Sequence, residues 1–81
     1  MPSDKMKLSL NASDWTNVFL GAVPASYRLD NKENNVKILY RLNAGLNSGE
    51  IEGANFVDVN STHIQAKASA GGMTLSIQRL D

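Results

Sequence analysis

The chain has 81 residues, sets eight Lys and Arg against eight Asp and Glu, and contains one histidine and no cysteine. That length holds one domain, residues 1–81, with no room for a second core. The missing cysteines exclude disulfides and thiolate metal sites, and the charges are scattered singly, without the basic stripe typical of nucleic-acid binders. A chain this short buries only about 60–65% of its unfolded surface. Self-association is therefore the expected supplement to its stability.

Met6, Leu8 and Leu10 alternate with Lys7 and Ser9, which predicts a first strand. Residues 11–14 (Asn-Ala-Ser-Asp) are loop and cap formers, and Ser13 or Asp14 is placed to cap a short helical turn within 14–20. Gly21 and Pro24 are expected to end it. Trp15, Val18, Phe19 and Leu20 are expected to be mostly core.

Ala25, Tyr27 and Leu29 alternate with Ser26, Arg28 and Asp30 as a second strand. Residues 30–35 carry no apolar group and predict an exposed turn. Val36, Ile38, Tyr40 and Leu42 on one face, with Lys37, Leu39, Arg41 and Asn43 on the other, make the clearest strand. Residues 25–43 together read as a hairpin. Gly45, Gly49 and Gly53 space out a polar stretch unsuited to a helix, in which residues 50–52 predict a short edge strand.

Residues 56–59 predict a strand ending at an Asn60-Ser61 turn. Beyond it, Thr62, Ile64, Ala66 and Ala68 alternate with His63, Gln65, Lys67 and Ser69. Met73, Leu75 and Ile77 resume the phase after Gly71-Gly72, the pair a tight primed turn favours. The expectation is a closing hairpin. The whole chain reads as all-β: a small antiparallel β-sandwich or barrel of six to seven short strands.

No apolar core follows residues 1–5, so no secretory signal is expected. The longest apolar stretch, 18–25, is too short to span a bilayer, so no membrane partner is expected. The triplets at Asn11 and Asn60 read as loop chemistry rather than glycosylation sites.

Glu50, Glu52 and Asp58 sit in polar surroundings, where neither of two carboxyls is set up for general acid–base work. Asp58, Ser61 and His63 have the residue types of a hydrolytic triad but lie on one turn and one strand. Asp30-Asn31 and 58–60 match no spaced calcium loop. Catalytic, cofactor-binding and metal residues are therefore expected to be none, and the protein is not expected to be an enzyme. Trp15, Tyr27 and Tyr40 remain candidates for stacking on a sugar or anchoring a partner. Leu39 breaks the polar side of its strand, and beside Leu46 or Ile51 it would form an apolar contact patch. Leu39, Leu46, Ile51 and Phe56 are the expected subunit-contact residues.

The stretch 8–17 (Leu-Ser-Leu-Asn-Ala-Ser-Asp-Trp-Thr-Asn) and the stretch 64–78 (Ile-Gln-Ala-Lys-Ala-Ser-Ala-Gly-Gly-Met-Thr-Leu-Ser-Ile-Gln) resemble small virion proteins of tailed phages. The middle strand at 36–42 fits as well. Gln65 stands where that family usually carries a tryptophan. The resemblance implies a capsid decoration (cement) protein, or a head-fibre or tail component. Such proteins are commonly trimeric β-sandwiches on a capsid symmetry axis. It further implies the major capsid protein or another virion protein as partner, a homotrimer and a place in the virion. A phage-encoded inhibitor of a host protein and a small carbohydrate-binding module are the alternatives.

Overall fold

Period-two alternation places six strands along the chain: β1 (Met6–Leu10), β2 (Thr16–Asp30), β3 (Ile38–Leu42), β4 (Asn47–Ile51), β5 (Phe56–Ala68) and β6 (Met73–Arg79). The structure, a computed structural model, describes residues 6–31, 36–43 and 47–81. All pairings are antiparallel, and the strands lie in one sheet in the order β1-β6-β2-β5-β3-β4. The protein is all-β, with no α-helix among the described residues, and the sheet curls into a half-barrel.

Two long strands make that curl possible. Residues 25–30 of β2 pair with 56–61 of β5 and, from Tyr27 onward, with β6, whose other side carries β1. Residues 16–20 of β2 pair with 63–66 of β5, which β3 and β4 extend on the far side. Between these halves, residues 21–24 stand opposite the single residue Thr62. On β5 the buried positions run Val59 and Ser61, then Ile64, Ala66 and Ala68. The inward phase therefore slips by one residue at 62–63. Such a slip exchanges the faces of a flat strand, so β5 must bend for both series to reach one interior.

The core records that bend. Leu10, Leu29, Val59, Met73, Leu75 and Ile77 come from the first half, and Ile38, Ile51, Ile64, Ala66 and Ala68 from the second. Two side-chain amides hold the halves together. The Asn31 Nδ2 donates to the carbonyls of Val36 and Ile51, each at 2.8 Å, while its backbone N–H reaches the Asn55 carbonyl at 2.9 Å. Asn43, at φ 52°, turns its Oδ1 toward Ser61, whose hydroxyl donates to it at 2.7 Å beside the bend. At the opposite end, the Ala68 N–H donates to the Asn11 carbonyl at 3.0 Å, tying β5 to the loop after β1.

Several expectations are corrected. No helical turn forms near 14–20. The Asn11 Oδ1 accepts the N–H groups of Ser13 and Asp14 as a local turn, and the β-branched and aromatic residues from Thr16 onward enter β2. The 25–43 and 62–77 segments are not hairpins, since β5 lies between β2 and β3 and β2 lies between β5 and β6. Of the two glycines expected in a primed turn, only Gly71 takes a positive φ, 61°. The strand at 56–59 does not end at Asn60-Ser61 but bends and continues to Ala68. Asp30 and Asn31, expected in an exposed turn, are buried. The rest of that turn, 32–35, lies outside the described residues. The edge strand near residue 50 is present as β4.

Ile64 is fully buried where the halves meet. Ile64→Ala is expected to cost about 2–5 kcal/mol, and Asn31→Ala about 1–3 kcal/mol for the carbonyls it leaves unpaired. Urea unfolding followed by circular dichroism measures both.

Candidate functional site

Gly21, Ala22, Val23 and Pro24 form an exposed bulge, a tab, within β2, because the one residue Thr62 stands opposite all four. All four are exposed, as is Leu20 before them. Leu20 is 65% and Val23 67% accessible, so two of the five exposed large hydrophobic residues stand on this tab. Pro24 has no N–H to donate to a ladder, which suits it to an unpaired position. Gly21, at the base of the tab, leaves room for a ring that a larger residue would have to displace. The Phe19 ring lies so close that a Cβ there would sit 2.7 Å from its Cζ. Phe19 in turn packs on Tyr27, with ring centroids 5.4 Å apart, and Arg79 lies over both rings.

A second feature occupies the outer face of the second half. The Arg41 guanidinium lies 4.5 Å from the centre of the Trp15 ring, and the Lys67 ammonium 5.7 Å from it. Arg41 donates through Nε to the Gln65 Oε1, and the Gln65 Nε2 donates to the Asn17 Oδ1 at 2.9 Å. The His63 Nε2 donates to the same Asn17 oxygen, also at 2.9 Å. Strands β3, β5 and β2 are thus joined across their outer face by one chain of side-chain hydrogen bonds. Beside it lies an open groove of about 310 Å³, lined by Trp15, Leu39, Tyr40, Ser48, Gly49 and Glu50.

The outer face of the first half is occupied by ion pairing. Arg28 meets Asp58 through two hydrogen bonds of 2.8 and 3.0 Å, directly across β2 and β5. The same guanidinium lies 4.4 Å over the Phe56 ring. Near the C-terminal end of β6, Asp81 accepts from Arg79 at 2.8 Å and from the Ser26 N–H at 3.1 Å.

The expected contact residues separate in space. Leu39 is half-buried and lines the groove. Phe56 is half exposed, but on the other outer face, beneath Arg28. Leu46 lies outside the described residues. Ile51 is corrected: opposite Ile38 on the inward face, it is 2% accessible and part of the core, so it cannot pair with Leu39 as a surface contact. The neighbour of Leu39 on β4 is instead Glu50. Neither Leu20 nor Val23 is among the expected contact residues: Leu20 is expected with Trp15, Val18 and Phe19 as mostly core, and Val23 carries no reading of its own.

The candidate catalytic groups do not converge. The Ser61 hydroxyl is turned inward and engages Asn43 and the His63 backbone, while the His63 ring engages Asn17 and Asp58 engages Arg28. Glu50 sits 3.7 Å from the Lys37 ammonium. Among the described residues, no three His, Cys, Asp or Glu side chains gather to hold a metal. Comparison of the chain with protein-family models, curated proteins and solved structures gave no match.

The hydrogen bonds from Arg28 hold the Asp58 carboxyl below its ordinary value, and Arg79 does the same to Asp81. A depressed folded value stabilises the native state above the unfolded value, about 3.9, and that stabilisation is lost as pH falls through the folded value. Both pairs are well exposed, so the effect is small. Asp58→Asn is expected to lower stability at pH 7 slightly and to flatten its decline below about pH 4. Thermal unfolding over a pH series would show an unchanged slope if the pair is inert.

Proposed function

We propose that the protein is a non-enzymatic structural component of a tailed-phage particle, a capsid decoration protein that docks on the shell and on its own copies. The observation that supports this most is the tab at 20–24. A folded chain gains nothing in water from holding Leu20 and Val23 out on a bulge. Buried against a neighbour, each supplies about 1.5–3 kcal/mol. A stable contact needs roughly 800 Å² from each partner, about a sixth of this chain's 4666 Å². The tab is the natural centre of such a contact, with polar surface around it. The resemblance of residues 8–17 and 64–78 to small virion proteins supports the particle as the setting, with the trimer as the expected assembly.

A second reading is an inhibitor that pairs with a host protein along an open sheet edge, and the outer strands β1 and β4 favour it. Mass spectrometry of purified particles separates the two, since only a structural component stays with the virion.

Analytical ultracentrifugation tests the first reading. The wild-type chain is expected to self-associate and to co-sediment with particles. Leu20→Asp and Val23→Asp should weaken both by about tenfold or more without changing the far-UV circular dichroism. A wild-type chain that stays monomeric and never co-sediments would sink the proposal.

A further inference from the structure

The structure points to a second docking site, distinct from the tab: we propose that the face around Trp15 binds an acidic segment of a partner protein, with a carboxylate taken up by Arg41 and Lys67. The site holds whether or not the chain belongs to a virion.

Charge carries the argument. Among the described residues, Arg28, Lys37 and Arg79 each meet a carboxylate. Arg41 and Lys67 do not; they meet a tryptophan ring and, for Arg41, the Gln65 amide. Two cations lie against one ring, and among the described residues neither is within salt-bridge distance of a carboxylate, so together they form a local positive centre. The guanidinium is also oriented in advance, because its Nε is held by Gln65 and Gln65 by Asn17. Among the described residues the Arg41 hydrogen bond runs through Nε, which leaves the terminal nitrogens of the fork facing a ligand, the arrangement that suits carboxylate recognition.

The surroundings select the kind of anion. Glu50 lines the groove beside Trp15 and would repel a polyanion such as a nucleic-acid strand. A single carboxylate set between neutral side chains avoids that repulsion. Leu39, Tyr40 and Trp15 offer apolar surface to the residue next to the carboxylate. Ser48, Gly49 and Glu50 belong to the outermost strand, β4, so an extended segment can lie along its open edge. A protein strand with one acidic residue among apolar and neutral ones meets all three conditions.

Trp15 is the only tryptophan, so its fluorescence reports on this site alone. The full-length protein would be titrated with a short Ser- and Val-containing peptide carrying one central Glu, the same peptide with Lys in that place, and an oligothymidylate of similar length. The Glu peptide is expected to change Trp15 emission saturably, and more weakly as salt rises from about 50 to 200 mM. Arg41→Gln combined with Lys67→Gln should loosen that binding by about tenfold or more while the far-UV spectrum is retained. If the variant misfolds, Arg41→Lys serves instead, keeping the charge but losing the fork and binding several-fold more weakly. No saturable change with the Glu peptide, an equal response to the Lys peptide, tighter binding of the oligothymidylate, or undiminished binding by the folded variant would each overturn the proposal. None of these outcomes bears on self-association through the tab.

Discussion

The bend shared by β2 and β5 is the constraint on which the rest of this structure depends. A flat six-stranded sheet of this size would bury one face against nothing. By inserting four residues on β2 opposite Thr62 and slipping the inward phase of β5, the chain folds the sheet onto itself. Ile64 and Ala66 then meet the interior formed by Leu29, Val59 and Leu75. A small domain without disulfides gains one continuous core in this way. The price is a loop of apolar residues expelled to the outside at the same point.

That coupling links stability to function. The tab is not an ornament on a finished scaffold, since the extra length of β2 permits the curl. Phe19, tucked over Gly21 and against Tyr27, supports its base. Leu20 and Val23 remain in water, at and beside the bulge where the register of β2 and β5 shifts. The two outer faces have different characters. Around Arg28 the charges are neutralised within the chain, whereas around Trp15 two cations are left to a ring and an amide. One face meets its charges with carboxylates, and the other meets them with a ring and an amide.

Much of the local structure was legible in the residues. Met73, Leu75 and Ile77 are buried as their alternation implies, and so are Ile64, Ala66 and Ala68. The end expected at Asn60-Ser61 is instead the approach to the phase slip at 62–63, since a bend and a turn interrupt alternation in the same way. Asn60-Ser61 has turn chemistry, and only the continuous pairing with β2 shows that the strand goes on. Trp15 to Leu20 misled for a related reason. A dense apolar run after a capping sequence suits a short helix as well as a strand, and its burial depends on what lies opposite. Ile51 was placed outside because its flanking glutamates suggest an exposed edge, yet opposite Ile38 it points inward.

Composition and period-two patterning by themselves determined that these 81 residues are all-β and hold no disulfide, and which side chains of a strand share a face. They act within one segment, where backbone geometry alternates side chains regardless of the rest of the chain. The tertiary structure alone decided which strands are neighbours, that β2 comes between β5 and β6, and that Leu20 and Val23 face solvent. Those outcomes depend on contacts between residues far apart in sequence, chosen by the need to bury both halves of one sheet in a common core. No local pattern encodes that choice.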